Sequence, residues 1–135
     1  MTYEQYLIEE NERLKKELEQ YKKQDKVKRG DIVYVKMKKQ NAEESSVMEY
    51  SRPYLVVSND IGNYHSNICI AVPLTSKEKK LTQPTHYRIS YHDSVVLCEQ
   101  ILTLSQSDIN GIRYHLKDEE MKEIDKCLKV SLALQ

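Results

Sequence analysis

Apolar and polar positions change rhythm at Gly30. Before it, "TYEQYLIEENERLKKELEQYKKQ", Thr2 to Gln24, has no Gly or Pro and predicts one helix. Setting Leu7, Leu14 and Tyr21 at heptad position d puts Glu4, Asn11 and Leu18 at a. The same register puts Glu10 and Glu17 at g, with Lys15 and Lys22 at e. In a parallel pair each g residue faces the e residue of the other strand five positions on. Glu10 then meets Lys15 and Glu17 meets Lys22, both opposite in sign, and an Asn at one a position specifies two strands in register. Three heptads are short for an isolated helix. A parallel dimeric coil, a helix lying on its own domain and a solvated tail are the three outcomes open to it.

From Gly30 onward the pattern is of short β-type runs: "DIVYVKM", "YLVVS", "NICIAVPL", "HYRIS" and "SVVLCEQILTL". No long helical pattern separates them, which favours a small barrel or sandwich over βαβ units. "SQSDIN" predicts a short helical turn stopped by Gly111. "DEEMKEIDKCLKVSLAL" carries Met121, Ile124 and Leu128 at helical spacing behind an acidic first turn, so an amphipathic helix closes the domain. Gln24 to Arg29 is charged and predicts a linker. Lys36 to Ser51 is a polar connection longer than an ordinary hairpin, which predicts a binding or mobile loop. The organisation expected is therefore a helical segment, residues 1–25, ahead of a mainly β domain with α, residues 26–135.

Composition narrows the function classes. Lys plus Arg and Asp plus Glu both count 21, so net charge neither favours nor opposes a nucleic-acid partner. There is no Trp or Phe but there are ten Tyr, so the aromatic groups can also hydrogen-bond. With no long apolar run and no signal peptide, a soluble cytoplasmic chain with no membrane partner is expected. Cys69, Cys98 and Cys127 lie in apolar or amphipathic surroundings and predict buried thiols. The four histidines have no zinc-site spacing. Gly occurs only at 30, 62 and 111, which excludes a Gly-rich phosphate loop. No Gly-flanked serine and no carboxylate cluster is present. The expectation is chemistry done by few residues, without cofactor or metal.

The polar residues that interrupt apolar runs are the candidates. In "SRPYLVVSNDIGN", Tyr54 to Val57 predict a core strand with Arg52 at its mouth and Asn59 to Asn63 as its exit loop. Pro53 holds Arg52 in an extended conformation and offers no N–H to a neighbouring strand. Thr75 follows "AVPL" and begins "TSKEKK", with Ser76 and Lys77 next. A guanidinium, a hydroxyl and nearby lysines make a phosphate-binding set. On pattern alone, a surface ion pair and an ordinary turn are the commoner explanations of these residues.

Taken in order, "KRGDIVYV", "RPYLVVSNDIGN", "IAVPLTS", "PTHYRI", "DSVVLCEQILTL" and "KVSLAL" resemble the successive motifs of the MazF/PemK toxins, over about Lys28 to Leu134. The resemblance implies an SH3-like barrel with small helices, usually a homodimer. It implies a metal-independent endoribonuclease that cuts single-stranded RNA, often mRNA, at a short sequence. Attack by the ribose 2′-OH would leave a 2′,3′-cyclic phosphate and a 5′-OH. The family's catalytic Arg and Thr match Arg52 and Thr75. A cognate antitoxin whose disordered segment occupies the RNA groove is the implied partner. Glu49, Tyr50, Ser76, Lys77 and Gln100 are the expected substrate contacts, and Tyr54 and Tyr64 also flank the relevant loops. Relatives often carry a Gly-Ser-Glu-Gln type stretch where this chain has "SSVMEYS", and Leu102 stands where an Arg is common. A catalytically weak module that binds RNA or protein is therefore the alternative expectation.

Overall fold

The computed structural model describes residues 1–23, 26–40, 47–77 and 82–135, with side chains for 1–17, 26–36, 51–77 and 82–135. Helix α1, Tyr3–Lys23, opens on a capping box: the Thr2 hydroxyl accepts from the Gln5 N–H at 3.2 Å, and Gln5 Oε1 accepts from the Thr2 N–H at 2.9 Å. Arg13 takes both acids of the predicted g positions, Glu10 at 2.8 Å and Glu17 at 3.6 Å, within its own helix. Leu7 and Leu14 stay about half exposed. Leu14 and Glu17 line a cavity of about 630 Å³ together with Ile61 and Tyr64.

Seven strands follow: β1 Asp31–Gln40, β2 Val47–Val56, β3 Ile68–Thr75, β4 His86–Arg88, β5 Val95–Leu97, β6 Leu102–Ser105 and β7 Ile109–His115. All pair antiparallel in the order β4-β5-β3-β2-β1-β7, with β6 alongside β3. Helix α2, Asp60–His65, joins β2 to β3, and α3, Asp118–Leu132, ends the fold. Period-2 alternation splits the apolar residues between two cores. Ile32, Leu55, Val72 and Leu74 join Val96 and the α3 stripe of Met121, Ile124 and Cys127. Val33, Val35, Tyr54, Val56, Cys69 and Ala71 form the other core with Val27 and Leu104.

Five expectations change. The polar segment Lys36–Ser51 is largely strand: β1 and β2 pair from Ile32–Leu55 out to Gln40–Val47, and residues 41–46 lie outside the described ones. "SVVLCEQILTL" is two strands. Its halves lie along one edge of β3 with a turn at Cys98–Ile101 between them. Gly111 does not stop a helical turn; after a 3-10 turn at Gln106–Asp108 it sits inside β7. That strand pairs only with β1, at irregular register, and most of its residues are partly or fully exposed, so it carries no apolar signal. Asn59–Asn63 is not an exit loop but the start of α2. The Asn59 side chain caps Gly62 N–H at 2.7 Å, and the buried Asn63 amide donates to Ser58 O at 3.0 Å. Finally, Val27 is core and Lys26 donates to Ser66 O at 3.1 Å, so residues 26–29 belong to the domain and not to a linker.

All three cysteines are buried and unpaired, as expected. Burial pushes the Cys69 thiol up to about 11 and the Cys98 thiol up to about 12. The thiolate is the reactive form. The native protein should therefore react with Ellman's reagent at neutral pH only as fast as it opens, and release three equivalents in denaturant. Rapid stoichiometric labelling of the folded protein would show that these thiols are not core residues.

Candidate functional site

Strands β2 and β3 pair Leu55 with Val72 and Tyr54 with Pro73, and there the ladder ends. Pro53 and Pro73 lack the N–H that would continue it. Carried two residues further, the same register sets Arg52 across from Thr75. Arg52 is thus well inside β2, opposite Val35 of β1, and not at the mouth of a strand. Thr75 is held from its other side by pairing with Val95 of β5. The opened ladder leaves a cleft of about 470 Å³. Arg52, Thr75, Ser76, Lys77 and Gln100 all line it, so five of the nine residues singled out from sequence meet in one place.

Local chemistry explains how each is presented. The Thr75 hydroxyl accepts the Lys77 backbone N–H at 3.1 Å, which uses a lone pair and leaves its proton able to donate. That turn carries Ser76 and Lys77 to the exposed rim. Gln100 sits on the turn after β5, where its N–H reaches Leu97 O at 3.2 Å. The neighbouring Glu99 points to the buried His86 side chain at 2.8 Å. Burial works to raise the Glu99 carboxyl, but hydrogen bonds from His86, from its own backbone and from Thr85 outweigh it and hold Glu99 below its ordinary range. The hydrogen-bonded pair anchors the turn that offers Gln100 to the cleft.

Glu49 and Tyr50 lie in β2 opposite Lys38 and Met37, and their side chains fall outside the described ones. Tyr54 belongs to the core and Tyr64 to the cavity beside α1, so neither reaches the cleft. Sequence reasoning missed Tyr34, His92 and Ser94, which also line it. Tyr34 carries a weak signal, being the one hydroxyl-bearing residue among the alternating valines of β1. His92 carries none.

His92 lies on the hairpin between β4 and β5, in the left-handed region at φ 49° and ψ 26°, and Asp93 follows at φ 52°. Two such residues that are not Gly cost on the order of 1–2 kcal/mol each. Their surroundings over-determine them. Ile89 N–H bonds Ser94 O at 2.9 Å, Ser94 N–H bonds Tyr91 O at 3.1 Å, and Arg88 pairs with Asp93 at 2.8 Å. Glu120 of α3 accepts from both the N–H and the hydroxyl of Ser90, at 2.9 and 3.0 Å. Behind His92, Tyr91 stacks on Tyr114 with centroids 5.0 Å apart. A hydrogen bond with the Tyr34 hydroxyl, then burial, pushes the Tyr91 phenol up to about 12.

The cleft therefore offers a guanidinium, an ammonium, hydroxyls and an amide. Among its described lining residues there is no carboxylate, and the described residues hold no cluster of three His, Cys, Asp or Glu suited to a metal. This is a set of donors for an anion, phosphate above all. A family model described as "PemK-like, MazF-like toxin of type II toxin-antitoxin system" matches residues 28–132. The chain belongs to the MazF/PemK toxin family. Endoribonuclease EndoA of Bacillus subtilis is 37% identical to it over 114 residues, covering 80% of this chain and 96% of EndoA. MazF in a MazE-MazF crystal structure from Deinococcus radiodurans superposes with a TM-score of 0.69 at 21% identity, over 83% of this chain and 100% of that one. An endoribonuclease in complex with its cognate antitoxin from a mycobacterial species gives 0.66 at 21% identity, over 81% and 97%. The α+β fold expected for a MazF-family chain is the one observed, with α1 as an addition ahead of the matched residues.

Proposed function

We propose that this MazF-family enzyme is a toxin endoribonuclease that cuts single-stranded RNA, mRNA included, at a short sequence without a metal. The observation that carries the reading is the opened ladder that sets Arg52 across from Thr75 in a cleft lined by donors. Attack by the ribose 2′-OH on the adjacent phosphorus needs no protein nucleophile and yields a 2′,3′-cyclic phosphate and a 5′-OH. The protein's task is in-line positioning and stabilisation of the charge that grows on the phosphorane. Arg52 holds the non-bridging oxygens through its fork of N–H donors, and Thr75 donates one more hydrogen bond. Arg52 is assigned charge stabilisation first, because its planar fork of donors matches two phosphate oxygens at once. Glu49, Tyr50, Ser76, Lys77 and Gln100 are assigned to flanking nucleotides.

The proposed partners are RNA, a cognate antitoxin whose extended segment competes for the cleft, and a second copy of the chain. The antitoxin complexes solved for the mycobacterial and Deinococcus relatives support the second. Among the described residues no helix is long and apolar enough to cross a membrane; we assign the chain to the cytoplasm. The half-exposed Leu7 and Leu14 on α1 support the parallel coil as an added dimer contact of residues 1–25, beside the contact made by residues 26–135. Removing residues 1–24 should leave a dimer that dissociates at higher concentration in analytical ultracentrifugation. An unchanged dissociation constant would remove the coil from the assembly.

The activity is tested with the purified full chain and a long mRNA in EDTA, with new 5′ ends mapped by sequencing. Cuts recurring at one short sequence in unpaired regions are expected; an intact RNA at enzyme excess would refute the nuclease reading.

A further inference from the structure

We propose that His92, with Tyr34 beside it, forms the stacking surface for the nucleobase next to the scissile phosphate. This rests on the nuclease reading above. Both residues line the cleft that holds Arg52 and Thr75. The His92 ring is exposed, makes no hydrogen bond among the described residues, and stands edge-on to Tyr91 with centroids 4.3 Å apart. Tyr91 is braced by Tyr114, and both pack on the core. The Tyr34 hydroxyl lies 3.4 Å from that of Tyr91, and the Arg113 guanidinium sits 5.5 Å from the Tyr34 ring centroid. The cleft thus has one wall of connected aromatic rings rooted in the hydrophobic core.

The backbone adds a second reason. Gly or Asn adopts the left-handed conformation at His92 with less strain. A residue that carries a flat ring occupies the position instead, and backbone bonds across the hairpin, the Arg88–Asp93 ion pair and Glu120 of α3 hold the hairpin there. A rigid, exposed ring beside a phosphate site is what single-stranded RNA recognition uses. Its bases are splayed out and stacked on aromatic, His or Arg planes, a mode open to any base. Arg52 reads the backbone; His92 fixes where the base beside it rests, and so the register in which the 2′-OH meets Thr75 and Arg52.

The test uses the full chain and an RNA of the sequence mapped for the wild type, with a 2′-deoxynucleotide at the cut position so that it binds without being cleaved. A second RNA lacks the base beside the scissile phosphate. His92→Asn keeps the left-handed turn and removes the ring; His92→Phe keeps a ring and removes the titratable nitrogen. His92→Asn is expected to weaken binding on the order of 10- to 100-fold, with the same thermal midpoint as the wild type. The abasic RNA should lose about as much against the wild type and nothing further against His92→Asn. On cleavable RNA, His92→Phe should restore KM and leave the pH profile of kcat unchanged. Additive losses, or a His92→Phe protein as impaired as His92→Asn, would overturn the stacking role, the latter because the imidazole chemistry then matters. A wild type that neither binds nor cuts RNA would overturn the nuclease reading and this one with it.

Discussion

Arg52→Ala should lower the single-turnover rate of RNA cleavage by a factor on the order of 10²–10³, the usual loss when one pre-organised donor to a developing oxyanion is removed. The fold should not suffer in step. Arg52 is exposed, and the ladder that fixes its place is made by backbone groups of β1 and β2, in which its side chain has no part. A thermal midpoint within a few degrees of the wild type is expected alongside the catalytic loss. Arg52→Lys discriminates charge from geometry. It keeps the positive charge but loses the planar fork that bonds two phosphate oxygens at once, so it should remain closer to alanine than to arginine. Full activity in Arg52→Ala, measured on the mapped RNA, would place the chemistry elsewhere.

Ile124→Ala carries the largest expected effect on stability. Ile124 is wholly buried between α3 and the sheet, among Met121, Cys127, Leu55 and Val96. Deleting most of its side chain loses transfer free energy and leaves a cavity, about 2–5 kcal/mol in total. The thermal midpoint should fall by on the order of 10 °C. Lys122 lies on the opposite, exposed face of the same helix, and its replacement by alanine should change stability by no more than about 0.5 kcal/mol. Because α3 also supplies Glu120 to the Ser90 hairpin, a loosened α3 should weaken the presentation of His92 before it disturbs Arg52. Equal stability of the Ile124 and Lys122 variants would contradict the packing described here.

The elements legible from sequence were those whose periodicity reports burial on a defined face. "DIVYVKM" and "NICIAVPL" alternate between two cores, and the stripe of Met121, Ile124 and Leu128 faces one of them. The misread segments lack that signal. β7 is an edge strand with little buried surface, and the outer parts of β1 and β2 are mostly polar in sequence with no sustained apolar alternation. Helix α2 is short and defined by side-chain bonds of Asn59 and Asn63, which periodicity cannot register. At the site, Arg52 and Thr75 stood out because each interrupts an apolar run, and Pro53 supplied a physical reason for it. That the two face one another follows from register, which needs the pairing of β2 with β3. His92 lay out of reach because its place in the cleft depends on a hairpin conformation that no local residue type announces.

The central claim is that the cleft around Arg52 and Thr75 positions a ribose 2′-OH for attack on the neighbouring phosphorus. It is tested most directly by replacing the single ribose on the 5′ side of the mapped cut with 2′-deoxyribose. Cleavage should vanish at that position while binding persists, and the all-ribose RNA should end in a 2′,3′-cyclic phosphate and a 5′-OH. Cleavage that continues at the deoxy position, or products bearing a 5′-phosphate, would contradict the account.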